Sequence, residues 1–236
     1  MKIAHIADTH IRNYKYHREY REVFDKIYDR LKTEKVDYIV HCGDLAHTKT
    51  QLSPEYFDLA TSFLRNLANI APTYIILGNH DGNLKNEHRQ DAITPIANAL
   101  DHPQLHLLRN AGETVVGDIA FNVLSVFDEE NWVKPSSDER INIALYHGSV
   151  SGVTTDTGWV MTHGDHPIEV FEGHDYVLLG DIHKTNQILD DEGRVRYPGS
   201  TVQQNFGETD DKGFLLWNIQ SKEDFSCEHV VIPNPK

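Results

Sequence analysis

The stretch YVLLGDIHK, residues 176–184, is an apolar run that ends in Gly-Asp-Ile-His. The start of the chain is similar, since IAHIADTH, residues 3–10, ends an apolar run with Asp-Thr-His. Short apolar runs bounded by polar residues are typical of buried β-strands. The sequence therefore predicts two strands that each end in a carboxylate and an imidazole separated by one residue.

Further apolar runs extend this pattern along the chain. Runs rich in Val, Ile, Leu and Tyr predict strands over residues 2–7, 37–42, 73–77, 119–126, 141–146, 174–180 and 213–219. Helical spacing places Val23, Phe24, Ile27, Tyr28 and Leu31 on one face, and Phe57, Ala60, Phe63, Leu64 and Leu67 on another.

The boundaries of the helices are partly predictable. Ser53 followed by Pro54 predicts the start of the second helix, and a third helix is predicted over residues 90–100. This alternation of strands and helices predicts a parallel sheet in the first half of the chain. The strand-rich second half predicts a second sheet, packed on the first in the same domain.

Composition restricts the class of protein. The chain has 236 residues, a net charge of −14, and two cysteines in no recognisable pattern. No apolar run approaches the roughly 18 residues of a membrane span, so we expect no membrane association and a location in the cytoplasm. The first 35 residues are an exception in charge, with 9 Lys or Arg against 6 Asp or Glu.

Metal-binding side chains cluster where the predicted strands end. The strand ends read ADTH, HCGDLAH, LGNHD, YHGSV and LGDIH, and they supply Asp8, His10, Asp44, Asn79, His80, His147, Asp181 and His183. These oxygen and nitrogen ligands, with no thiolate, suit Mn²⁺ or Mg²⁺. Eight groups are too many for one ion and suit two, and two divalent ions about 3.5–4 Å apart support displacement at phosphorus.

The motifs DTH, GDLAH, GNHD, HG and GDIH, in this order, resemble those of the calcineurin-like metallophosphoesterases. ADTH, GDLAH, GDIHK and the downstream YPGSTVQQNFGE and KGFLLWNI are similar to the SbcD-type DNA double-strand-break repair nucleases and their phage relatives. The resemblance implies an α/β fold, a four-layer α-β-β-α sandwich of two packed mixed sheets flanked by helices.

The resemblance also implies a role for each motif residue. Asp8, His10 and His183 would hold the first ion, with Asp44 bridging, and Asn79, His147 and Asp181 would hold the second. Two divalent ions are expected, Mn²⁺ in preference to Mg²⁺. His80 would act on the scissile phosphate or the leaving oxygen, and His47 would contact the DNA phosphate.

The sequence departs from the resembled family in two respects. The family pattern has His where this chain has Asp181, although a carboxylate also suits Mn²⁺. The capping domain that usually follows such a nuclease core has no counterpart here. We therefore expect a nuclease domain over residues 1–232, with 233–236 as a linker stub or a point of truncation.

A basic and aromatic segment follows His10 directly. It contains Arg12, Tyr14, Lys15, Tyr16, His17 and Arg18. Cations beside aromatic rings suit a single-stranded or frayed DNA end, which offers phosphates and unstacked bases. We expect these residues to bind DNA.

The expected function is a Mn²⁺-dependent DNA exonuclease or endonuclease subunit in repair or recombination. Expected partners are DNA, an SbcC-type ATPase subunit and, as a further option, a second copy of the chain, in a bacterial, archaeal or phage-infected cell. One alternative is a phosphodiesterase or phosphatase for nucleotides or small esters. The other is a non-catalytic accessory subunit, which the presence of His80 and Asp44 disfavours.

Overall fold

A computed structural model of the chain describes residues 1–86 and 88–235. Its strands are β1 (Lys2–Ile6), β2 (Tyr38–Cys42), β3 (Thr73–Ile76), β4 (Leu105–Leu107), β5 (Gly112–Val116), β6 (Ile119–Leu124), β7 (Ile141–His147), β8 (Tyr176–Gly180), β9 (Gln187–Ile188), β10 (Val195–Tyr197), β11 (Gly213–Ile219) and β12 (Phe225–Val231). Its helices are α1 (His17–Glu34), α2 (Pro54–Ile70) and α3 (Thr94–Leu100), with 3₁₀ helices over Glu129–Asn131 and Ile168–Phe171. All seven predicted strands are present.

The strands form two mixed six-stranded sheets. The first has the order β12-β11-β1-β2-β3-β4, and β1 to β4 run parallel. The second has the order β5-β6-β7-β8-β10-β9, with β6, β7, β8 and β10 parallel. The predicted parallel sheet and the predicted α/β sandwich of two packed sheets are both confirmed.

Buried apolar side chains form three layers. One joins α1, α2 and α3 to the outer face of the first sheet, and a second, with Val40, Phe121 and Trp217, fills the space between the sheets. The third covers the outer face of the second sheet. Within the described residues, that face is covered by loops and the 3₁₀ helix at Ile168–Phe171.

The helix α2 begins where the sequence predicts, but its buried face differs from the predicted face at residue 57. The Ser53 hydroxyl accepts a hydrogen bond from the Tyr56 N–H at 3.1 Å, as an N-cap should. Phe57, predicted to share a face with Ala60 and Phe63, is 38% exposed, whereas Tyr56 and Leu59 are buried. Residues 56, 59, 60, 63, 64 and 67 form the stripe that faces the sheet, and residue 57 lies beside it.

The third helix is shorter than predicted. It begins at Thr94 rather than at residue 90. The Asp91 carboxylate accepts the N–H groups of Ile93 and Thr94, which fixes a turn before the helix. Pro95 then lies in the first turn, where its missing N–H costs nothing.

The two ends of the described chain lie near each other in the first sheet. β1 pairs with β11, and Ile232, just after β12, is buried in the helix-side layer. The predicted boundary at residue 232 stays a prediction, and Lys236 lies outside the described residues. No helix among the described residues is long and apolar enough to cross a membrane.

Candidate metal centre

The carboxyl ends of the parallel strands bring the predicted ligands together. Potential ligand atoms lie within 4.8 Å of one another in three overlapping groups: Asp8, His10 and His183; His10, Asp44 and His80; Asp8, Asp44 and His147. Asp8, His10 and Asp44 each belong to two groups. Residues at the carboxyl ends of β1, β2, β3, β7 and β8 thus form one cluster.

Asp44 lies at the centre of this cluster. Its Oδ2 lies 3.3 Å from Nε2 of His147 and 3.5 Å from Nε2 of His10. Its Oδ1 accepts the backbone N–H of His80 at 2.8 Å. This carboxylate faces ligands from both predicted metal sites, as a bridging ligand must.

Asp181 links the Gly-Asp-Ile-His motif after β8 to the Asp-Thr-His motif after β1. Its backbone N–H donates to both carboxylate oxygens of Asp8, at 3.1 and 3.0 Å. Its Oδ1 accepts from the Asn79 amide at 3.2 Å and lies 3.7 Å from Nε2 of His147. Asp181 and Asp8 therefore meet at the same cluster, and Asn79 and His147 lie beside Asp181 as expected for the second ion.

Four of the predicted ligands have a left-handed backbone. The φ angles are 53° at Asp8, 47° at His10, 57° at Asp44 and 100° at Asp181. Such angles cost a non-glycine residue on the order of 1–3 kcal/mol and cluster at functional sites. The sharp turns that leave the strands here are stabilised by the rest of the fold and direct the side chains into the cluster.

Two glycines permit the close approach of neighbouring loops. A Cβ on Gly78 would lie 2.2 Å from Oδ1 of Asp44, and a Cβ on Gly180 would lie 2.0 Å from the Cys42 carbonyl oxygen. Real Cβ atoms do not tolerate such distances. The glycines before Asn79 and Asp181 are therefore required by packing.

The donor set fits divalent cations. His147 Nδ1–H donates to the Cys42 carbonyl at 2.7 Å, which directs Nε2, the nitrogen that would bind a cation, into the cluster. Within the described residues, Nε2 of His147 and Oδ1 of Asn79 are buried without a hydrogen-bond partner, and such atoms need an explanation. Nε2 of His10 lies 2.9 Å from Nε2 of His183, a distance that two basic nitrogens tolerate only with a proton or cation between them.

The charges of the cluster also favour cations. Burial raises the pKa of Asp8 to about 7. Burial alone would lower the pKa of His147, but Asp44, Asp8 and Asp181 raise it well above its ordinary value. Protons therefore compensate the buried carboxylates in the metal-free protein, and divalent ions would replace them.

His80 and His47 lie at the outer edge of the cluster. The exposed His80 donates its Nδ1–H to the carbonyl oxygen of His47 at 2.8 Å, so Nε2 is the ring nitrogen left to act. The ring centroids of His80 and His47 are 6.1 Å apart, and those of His80 and His10 are 4.9 Å apart. Burial, followed by the nearby charge of Arg12, lowers the pKa of His47.

The predicted DNA-binding segment divides into two groups. Tyr14, Lys15, Tyr16 and Arg18 are exposed, and the Tyr14 ring is 79% exposed. Arg12 donates to the Gln204 carbonyl at 3.0 Å, and its guanidinium lies 5.9 Å from the centre of the Tyr16 ring. The ring of His17 contacts the Arg12 carbonyl at 2.6 Å.

Sequence reasoning missed Asp81, the last residue of GNHD. Its buried carboxylate accepts the backbone N–H groups of Asp44, Ala46 and Gly78 at 2.8, 2.8 and 2.9 Å. It therefore ties the loop after β2 to the loop after β3. Its position directly after Asn79 and His80 was the available signal.

The calcineurin-like phosphoesterase family model matches residues 1–185, a segment that contains all seven predicted metal ligands and His80. The chain belongs to this family. The family consists of hydrolases that use divalent metals, and the cluster is the candidate dimetal site of this member.

Two curated relatives and one solved structure are similar to the chain. Uncharacterized protein R555 of Acanthamoeba polyphaga mimivirus is 40% identical over 98% of this chain and 18% of its own length. Uncharacterized metallophosphoesterase YhaO of Bacillus subtilis is 28% identical over 86% of this chain and 51% of its own length. The chain thus spans about half or less of these relatives. The structure of GAP50, the anchor in the inner membrane complex of Plasmodium, superposes on this chain with a TM-score of 0.55 at 15% sequence identity. The match covers 92% of this chain and 80% of GAP50, so the two proteins share the fold.

Proposed function

We propose that this metallophosphoesterase is a Mn²⁺-dependent DNA nuclease that acts in double-strand-break repair or recombination. The observation that carries the proposal is the position of the exposed basic and aromatic segment, which follows the predicted ligand His10 directly. Phosphate contacts and ring stacking beside a phosphodiesterase centre suit a frayed or single-stranded DNA end.

The position of His80 leaves room for a large substrate. The side chain is exposed at the edge of a cluster whose other members are buried or half-buried. A phosphodiester in an extended chain can reach Nε2 from solvent without first entering an enclosed pocket. The open position is therefore compatible with a polymer substrate, and the assay below compares a polymer with a small ester.

The proposed roles follow the geometry. Asp8, His10 and His183 would hold one ion, Asn79, His147 and Asp181 the other, with Asp44 shared. When bound, the ions supply Lewis-acid polarisation of the phosphate and activation of the attacking water. With Nδ1–H held by the His47 carbonyl, a protonated His80 gives its Nε2 proton to the leaving oxygen and returns to the neutral form.

The experiment is a Mn²⁺-dependent cleavage assay on linear, hairpin and single-stranded DNA. Bis-p-nitrophenyl phosphate serves as a small ester, and His80→Ala as the inactive control. We expect the wild-type protein to cleave both the DNA and the ester. Cleavage of the ester with intact DNA would contradict the nuclease proposal and favour the small-ester alternative.

The proposed partners rest on the resemblance to SbcD-type nucleases. We propose an SbcC-type ATPase subunit as a partner and a cytoplasmic location, and a homodimer is a further option. Sedimentation of the protein alone and with such a subunit tests these partners. If this protein sediments as a monomer in both samples and forms no complex, both proposed partners are contradicted.

A further inference from the structure

The two ring nitrogens of His183 face different partners. Nε2 lies 2.9 Å from Nε2 of His10, inside the cluster. Nδ1 lies 2.9 Å from Oε1 of Glu208, a residue that sequence reasoning did not single out. Because a carboxylate can only accept, Nδ1 carries the proton and Nε2 keeps its lone pair for a cation.

Glu208 is held in place on both oxygens. Oε1 also accepts from the Asn205 amide at 2.9 Å. Oε2 accepts from the Ser200 hydroxyl at 3.1 Å, from the Gln204 N–H at 3.0 Å, and pairs with Lys212 at 3.0 Å. The side chain is 1% exposed, so these contacts leave it no freedom to turn away from His183.

Lys212 is an unusual residue in this network because its side chain is 0% exposed. Lysine is almost never fully buried unless it is paired. Besides pairing with Glu208, Lys212 donates to the backbone carbonyl oxygen of His183 at 3.0 Å. The pair therefore holds both the imidazole and the main chain of one predicted metal ligand.

Stability alone is a weak explanation for this pair. Replacing a buried ion pair with apolar side chains is often neutral or stabilising, whereas removing one partner is costly. By contrast, a carboxylate that holds the second nitrogen of a ligating histidine fixes the tautomer and raises the basicity of the ligand. The contacts of Glu208 match that role.

We propose that Glu208, supported by Lys212, is a positioning residue that presents Nε2 of His183 to the first metal ion. Both residues lie beyond the segment that matches the family model, residues 1–185. The stretch NFGETDDKG, residues 205–213, therefore supplies no ligand itself but orients one ligand of a metal site whose ligands all come from the family segment.

The test is Mn²⁺ binding to the metal-free protein by isothermal titration calorimetry, with Glu208→Gln as the main variant. The amide keeps the size of the side chain but loses the charge that holds the Nδ1 proton and pairs with Lys212. We expect the affinity for the tighter ion to fall about 10- to 100-fold, as for other groups that orient metal ligands.

Two further variants make the test specific. Asp91→Asn removes another buried carboxylate, whose side chain is 1% exposed, pairs with Arg109 and accepts the N–H groups of Ile93 and Thr94, and it should leave Mn²⁺ affinity unchanged. Ser200→Ala removes one hydrogen bond to Glu208 without stranding a charge, and it should weaken Mn²⁺ binding less than Glu208→Gln. If Glu208→Gln does not fold, Ser200→Ala takes its place as the test variant.

The result that would overturn the role of Glu208 is wild-type Mn²⁺ affinity in folded Glu208→Gln, or in Ser200→Ala should the former not fold. An equal loss in Asp91→Asn would also overturn it. The inference rests on the proposed metal centre but not on DNA as the substrate. A wild-type protein that binds no Mn²⁺ would instead contradict the metal centre itself.

Discussion

At the scale of single residues, burial and hydrogen bonding distinguish the predicted metal ligands from His80, the predicted proton donor. Asp8, Asp44 and His147 are buried, whereas His80 is exposed with Nδ1 occupied by a carbonyl. His80 nevertheless has a ring nitrogen within 4.8 Å of ligand atoms on His10 and Asp44. Its assignment as a proton donor, and not a ligand, is therefore a specific prediction.

His80→Ala should lose catalysis but keep its metal ions. Removing a positioned general acid costs about 10²- to 10⁴-fold in rate. We expect a loss of this size in kcat on bis-p-nitrophenyl phosphate, with unchanged Mn²⁺ stoichiometry by calorimetry. Loss of one bound ion in the variant would show instead that His80 is a ligand.

Mn²⁺ affinity should depend on pH through Asp8. Burial raises the pKa of this carboxyl to about 7 in the metal-free protein, so below pH 7 an incoming cation must displace its proton. Affinity should therefore rise as the pH increases through 7, and displacement of the proton on His147, whose pKa the neighbouring carboxylates raise well above its ordinary value, should extend the rise beyond it. Calorimetry at pH 6 in two buffers of different ionisation enthalpy should detect proton release, and equal enthalpies in both buffers would contradict this.

At the scale of elements, the features that could be predicted from the sequence are those that short local segments encode. Strand ends, the Ser53 cap and the metal-binding motifs lie in short segments, and the structure brings the motifs into one cluster. Glu208 could not be predicted, because its partner His183 is 25 residues away and a glutamate between turns resembles a solvated residue. The short strands β4, β9 and β10 were missed for a similar reason, since two or three residues carry no periodicity, and the longer strands β5 and β12 were missed as well.

Asp81 should be the residue that holds two of these loops in register. Asp81→Asn offers one acceptor oxygen to three backbone donors, and each buried donor left unsatisfied costs about 1–3 kcal/mol. We expect urea denaturation to show a loss of about 2 kcal/mol or more in the free energy of unfolding.

The matched control for Asp81 is Asp101→Asn, an exposed carboxyl in a left-handed turn that asparagine also tolerates. It should change stability by less than about 0.5 kcal/mol. Equal effects of the two substitutions would contradict the role of Asp81.

At the scale of the whole molecule, charge is distributed unevenly. The net charge is −14, yet the first 35 residues have more basic than acidic residues. DNA attraction must therefore come from a local surface, which we place at the exposed residues between Tyr14 and Arg18. Each lost phosphate contact should reduce the salt dependence of binding, whereas loss of a stacking ring should not.

Lys15→Ala with Arg18→Ala should lower the slope of log affinity against log salt by about 2. Tyr14→Ala should weaken single-stranded DNA binding by about 1–3 kcal/mol at an unchanged slope. Fluorescence anisotropy across a salt series measures both, and Lys134→Ala is the exposed control. A slope that is the same in all variants would place the DNA surface elsewhere.

We expect the residues at the carboxyl ends of β1, β2, β3, β7 and β8 to hold two ions as one centre. Anomalous diffraction from Mn²⁺-soaked crystals measures this directly. We predict two peaks about 3.5–4 Å apart, with Asp44 contacting both and with Asp8 and Asp181 contacting one each. A single peak, or peaks in separate pockets that share no ligand, would contradict the account.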